Sequence, residues 1–128
     1  DWATHEDERI RYYSGRAVYR KKFDAPTAAS GRVWLDLGAV RSLARVRLND
    51  KDLGIVWCAP WRVDASDALQ PKANKLEIEV ISLWPNRLTR DANLPADKRL
   101  TRTNVEIPPK GALLPSGLLG PVSLLREQ

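Results

Sequence analysis

The sequence predicts an all-β sandwich of two antiparallel sheets, and three observations carry that prediction. Stretches with an apolar side chain at every second position recur along the chain. Turn chemistry separates them, with nine prolines and seven singly placed glycines. No segment keeps a helical hydrophobic period over three turns.

The first stretch, residues 16–23, puts Ala17, Tyr19 and Phe23 on one side and Val18, Arg20 and Lys22 on the other. Lys21 interrupts the apolar side, as expected where a strand lies at a sheet edge. After a loop over residues 26–31, Val33, Leu35 and Leu37 alternate with Trp34 and Asp36 until Gly38, the clearest half-buried strand of the sequence. Val46 and Leu48 alternate with Arg45 and Arg47, and the Asn/Asp turn of residues 49–52 folds 53–57 back as a hairpin. Residues 60–64 continue extended, and 66–69 fit one helical turn before a turn at 71–74. Leu76, Ile78 and Val80 then point inward while Glu77 and Glu79 meet water. Ile81 and Leu83 shift that phase by one residue, which predicts a bulge or a strand changing its burial. Across residues 84–114 the period disappears, and irregular stretches of that length are uncommon in compact domains and often functional. Residues 118–125, interrupted by Gly120-Pro121, read as one closing strand.

With 128 residues, a folded chain is expected to expose about 6,800 Å² against roughly 21,000 Å² unfolded, so residues 1–128 form a single domain. Its 43% hydrophobic content argues against disorder, and no apolar run approaches the roughly 18 to 20 residues of a membrane span. From a start at Asp1 and the absence of methionine, a processed product or an excised domain is expected. Cys58 has no partner for a disulfide or a paired-cysteine zinc site. His5 lies in a terminal segment expected to be mobile, a poor place for a triad base.

A net charge of +5 and a pI near 9.7 bring nucleic acid and acidic polymers into view as partners. The basic residues are nevertheless scattered over residues 16–22, 41–47 and 87–102, and no aromatic rings interleave with them on one strand face, so nucleic acid is disfavoured. Glycoside cleavage needs two carboxylates across a cleft, whereas Glu77 and Glu79 share one strand face. Asp91 and Asp97 sit beside Arg87, Arg90, Lys98 and Arg99, where local ion pairing accounts for them about as well as catalysis does. The dispersed glycines build no phosphate cradle, and no cofactor or metal is expected, an oxygen-liganded loop calcium being left open.

Tryptophan is the unusual component, five residues beside three tyrosines and one phenylalanine. Trp57, Trp61 and Trp84 adjoin the 58–60 turn or the long irregular stretch. Indole faces stack on sugar rings while amides, carboxylates and guanidinium groups bond hydroxyls. The candidate carbohydrate-binding set is therefore Trp57, Trp61, Trp84, Asn86, Arg87, Asp91 and Asn104. The competing reading makes the indoles core or interface packing, with Asn86, Arg87 and Asp91 bracing the loop or holding a neighbouring domain.

Residues 12–23, Val33-Trp34-Leu35-Asp36-Leu37-Gly38, and Val46-Arg47-Leu48-Asn49 with Leu53-Gly54 together resemble the sugar-binding-type jelly-roll domain of glycoside hydrolase family 2. Leu83-Trp84-Pro85-Asn86-Arg87-Leu88 and residues 113–122 are similar to the C-terminal domain of α-L-rhamnosidase-like enzymes of family 106. The resemblance implies a galactose-binding-like jelly-roll β-sandwich from a larger multidomain glycoside hydrolase. It also implies a non-catalytic accessory role, the catalytic carboxylates belonging to another domain of the parent chain. Implied partners are that domain and a carbohydrate such as a plant-type oligosaccharide, in a secreted or periplasmic setting. The alternatives are a purely structural interdomain or protein-interaction module and, ranked last, a basic nucleic-acid-binding sandwich.

Overall fold

The computed structural model describes residues 1–26, 31–108 and 111–127, so most of the loop expected at 26–31 lies outside the described residues. Within them the strands are β1 (Arg16–Phe23), β2 (Val33–Asp36), β3 (Val40–Arg41), β4 (Leu43–Leu48), β5 (Lys51–Val56), β6 (Arg62–Asp64), β7 (Asn74–Ile81), β8 (Gly117–Leu118) and β9 (Ser123–Arg126). Two short helices accompany them, α1 (Glu8–Arg11) and α2 (Pro85–Ala92).

One layer has the strand order β1-β7-β4-β5 and the other β6-β2-β9, with β3 and β8 as a small separate ladder; every pairing is antiparallel. The inward side chains of the alternating stretches meet between the layers. Leu35 and Val63 of one sheet pack with Ala44, Val46, Leu48, Leu76, Ile78 and Val80 of the other. Each large aliphatic side chain buried there stabilises the fold by about 1.5 to 3 kcal/mol. This is the β-sandwich that the alternation predicts. β1 is a sheet edge, as Lys21 suggested. The hairpin turn narrows to Asn49 and Asp50, whose φ of 52° and 65° match the two left-handed positions of a type I′ turn.

Four expectations need correction. Pairing of β7 stays in register through Ile81 on both sides, so there is no bulge there. Ser82 continues the buried row, its hydroxyl donating to the Tyr13 carbonyl at 3.2 Å, and Leu83 simply points to solvent. The register slips instead between β4 and β5, after Val46, where Leu53 stands unpaired. The closing segment is two strands in different sheets, β8 and β9, because the Gly120-Pro121 corner redirects the chain. The stretch 84–114 contains α2 and a 3-10 turn at Ala96–Lys98.

The fourth correction concerns the N-terminus. Trp2 packs against the core cluster, its ring nitrogen donating to the Tyr19 hydroxyl at 2.6 Å and its backbone N–H to the Ser116 carbonyl at 2.9 Å. Its indole lies edge-on to Tyr13 and presses on Gly117, where a Cβ has no room. Asp1 adds a carboxylate oxygen that accepts from the Ser116 N–H at 3.0 Å. The terminus is therefore latched to the sandwich through its indole.

Candidate functional site

α2 starts where Pro85 occupies the first helical turn, a position that needs no N–H donor. The helix buries polar residues, Asn86 and Asp91, rather than an apolar stripe. Asn86 donates to the Leu114 carbonyl at 2.7 Å and accepts from the Leu114 N–H at 2.8 Å, so it pairs with the returning chain as a strand neighbour would. Asp91, one helical turn later, accepts through one oxygen from the N–H of Leu100 (3.1 Å) and from the N–H and hydroxyl of Thr101 (2.7 and 2.6 Å). The Arg87 guanidinium stands 4.0 Å from its other oxygen. Burial pushes the Asp91 carboxyl pKa up, but the Thr101 bonds, the Arg87 charge and the Leu100 N–H together outweigh it and hold the group below the usual carboxylate value. Asp91 is thus ionised and engaged, the opposite of the raised pKa a general acid requires. Arg90 leaves the far side of α2, reaching Glu8 at 3.3 Å and lying 5.6 Å over the Tyr12 ring, which ties the helix to α1.

Between α2 and residues 96–107 lies a groove of about 730 Å³, with Asp91 in its wall and Asp97, Arg99, Arg102 and Glu106 around it. Asn104 is exposed on the same segment. Glu77 and Glu79 lie on the outer sheet face, paired with Arg20 at 2.9 Å and Arg16 at 3.7 Å. Among the described residues no group of three or more His, Cys, Asp or Glu is placed to hold a metal ion, and no helix is long and apolar enough to cross a membrane.

The three indoles separate. Trp61 is half-buried and packs against the core, and its carbonyl accepts from the Leu37 N–H at 2.7 Å. Trp57 and Trp84 are 72% and 58% exposed. Val56 pairs with Ala44, and Leu43 with Ile81, so Trp57 and Leu83 project beyond the same end of the four-stranded sheet. Leu83 and Leu114 flank a shallow hollow there together with Pro85 and Asn86. Of the sequence-derived set, α2 brings Asn86, Arg87 and Asp91 together beside Trp84, while Trp61 packs against the core from elsewhere.

A family described as glycosyl hydrolase 2 galactose-binding domain-like matches residues 2–110. The chain belongs to this family. Among relatives of the galactose-binding-like chain is a protein of Formosa agariphila named "Putative beta-glucuronidase", 35% identical over 96% of this chain and 13% of that protein. The structure of rhamnosidase from Novosphingobium sp. PP1Y superposes with a TM-score of 0.87 at 36% identity, over 96% of this chain and 12% of that one. Bifidobacterium dentium beta-glucuronidase, complexed with coumarin-3-O-glucuronide, gives 0.54 at 26% identity over 62% and 14%. The domain spans about an eighth of the length of these proteins. Both branches of the sequence resemblance, the family 2 type sandwich and the rhamnosidase-like enzymes, are met.

The sequence missed Trp2, Asp1 and Asn74. Asn74 is fully buried, accepts from the Gln70 N–H and the Asn49 amide at 2.8 Å each, and donates to the Gln70 carbonyl at 2.7 Å. Only its position beside the predicted 71–74 turn hinted at such a role.

Proposed function

We propose that this domain is a non-catalytic module of a glycoside hydrolase and that it braces the catalytic part of its parent chain through the α2 rim. One observation carries the reading: Trp57, Leu83, Trp84 and Leu114, each more than half exposed, gather at one end of the four-stranded sheet beside α2. The exposed apolar residues flanking α2 and beyond the adjoining end of β5 supply much of an interface core, namely Trp57, Leu83, Trp84, Leu100, Val105 and Leu114. Asn86 and Asp91 hold that rim in one conformation before any partner arrives, which lowers the ordering cost of docking.

Trp84 is 58% exposed, and an indole buries about 150 to 250 Å² when fully covered. Docking that covers the rest removes about 90 to 145 Å² from water, worth about 2 to 4 kcal/mol, or roughly 30- to 1,000-fold in affinity. Calorimetric titration of the domain against the remainder of its parent polypeptide tests this. Trp84→Ala is expected to weaken association at least tenfold, and equal binding by wild type and variant overturns the proposal. A second reading, glycan contact, is favoured by the open indole faces of Trp57 and Trp84. It predicts that oligosaccharides titrate the isolated domain and that Trp84→Ala abolishes the signal.

A further inference from the structure

At the other end of the four-stranded sheet, Lys22 of β1 lies directly opposite Lys75 of β7, both exposed on the outer face. Like charges placed opposite each other on a sheet destabilise it. In the next row Glu77 is flanked by Arg20 and Arg47 in register, and its carboxylate is bound by Arg20 at 2.9 Å. Asp52, opposite Arg47, is taken up by Arg45. Among the described residues no carboxylate comes within 4.0 Å of the charged nitrogens of Lys22, Arg47 or Lys75. A cleft of about 280 Å³ runs over them, with four cationic residues of the outer face, Arg20, Lys22, Arg47 and Lys75, against the two acids Asp50 and Glu77.

We propose that this cleft binds the sulfate or carboxylate groups of an acidic polysaccharide, a site that rests on reading the chain as a module of a carbohydrate-active enzyme. The opposed lysines are a standing cost to the sheet that an anion lying between them removes. No ring lines the cleft, so nucleic-acid bases find nothing to stack on. Its volume, near the lower end of the about 300 to 1,000 Å³ usual for ligand sites, suits single anionic groups carried on a flexible chain. Arg20 and Arg47 offer planar donors to an anion's oxygens, and Lys22 and Lys75 supply point charges on either side.

The test titrates the 128-residue chain with dextran sulfate, polygalacturonate and neutral dextran at about 50 and 200 mM salt. A charged polymer is expected to bind, with affinity falling steeply with salt, and dextran is not. Lys22→Gln, Arg47→Gln and Lys75→Gln should each weaken binding roughly 2- to 5-fold and flatten the salt slope by about one charge. Lys22→Gln relieves the opposed pair, so its melting temperature holds or rises, which separates lost binding from lost folding. Lys98→Gln, an equal loss of charge on the 3-10 turn, should leave binding unchanged. Absence of binding to both charged polymers, equal weakening by Lys98→Gln, or tighter binding of a DNA duplex overturns the proposal. The docking assay reads Trp84 at the other end of the strands, about 20 Å away. Docking that persists without polymer binding therefore refutes the cleft alone, and polymer binding without docking refutes the brace alone.

Discussion

Replacing Asp91 by alanine removes one buried carboxylate and strands four groups at once. The N–H of Leu100 and both donors of Thr101 lose their shared acceptor, and the Arg87 guanidinium loses the charge beside it. Bonds to a charged group contribute about 1.5 to 3 kcal/mol each, but Leu100 is largely exposed and its N–H recovers water on opening, so the contributions do not simply add. Breaking a buried pair from one side costs about 3 to 5 kcal/mol, which is the expected loss. At 1.4 kcal/mol per factor of ten, opening of residues 96–107 becomes about 100- to 4,000-fold more frequent. Hydrogen exchange resolved by segment reads this directly, with fast exchange at Leu100 and Thr101 in Asp91→Ala and intermediate exchange in Asp91→Asn, which keeps an acceptor but loses the charge. The carboxyl is held below its ordinary value near 3.8. Its charged form therefore stabilises the loop fully above about pH 4, and that stabilisation fades as pH falls through the depressed folded value. Unchanged protection of Leu100 and Thr101 in Asp91→Ala refutes the bracing role.

Other consequences follow from the same geometry. Trp61→Ala should destabilise the isolated domain by about 3 kcal/mol, whereas Trp57→Ala, at a 72% exposed site, should stay within about 0.5 kcal/mol; urea melts of the two variants check the contrast. Gly38→Ala should be far more disruptive than Gly54→Ala, although both glycines have positive φ, because a Cβ at Gly38 meets the backbone of Gly120 and Pro121 while one at Gly54 meets nothing within 4 Å. Parallel thermal melts decide that ranking. The Asp64 carboxyl accepts from the Ser66 hydroxyl and N–H and from Arg32, which lower its pKa to about 2. NMR titration should find it still ionised at pH 3, with its contribution to stability present above about pH 4 and lost as pH falls toward 2.

The legible parts of the sequence were those where burial and hydropathy agree. Val33, Leu35 and Leu37 alternate because one face of β2 meets the other sheet, and the Asn49-Asp50 turn is chosen by its own dihedral needs. α2 was hidden because it faces the protein with Asn86 and Asp91, which reverses the signal that hydrophobic periodicity detects. Ser82 misled for the same reason, since a polar residue in the inward row made the apolar Ile81 and Leu83 look like a change of phase. The candidate site was legible as a group of residue types, and Asn86, Arg87 and Asp91 do lie together, but sequence could not separate the packed Trp61 from the open Trp57 and Trp84.

Local rules, acting between residues a few positions apart, were enough to determine the sandwich class, most of its strands and its tightest turn. Contacts between residues far apart in the chain decided the rest: Trp2 under Gly117, Asp91 beneath Thr101, and Lys22 against Lys75. A side chain's partner across the fold depends on sheet order and register, which alternation alone leaves open. Which residues meet at the α2 rim and at the cationic cleft was therefore decided by the tertiary structure.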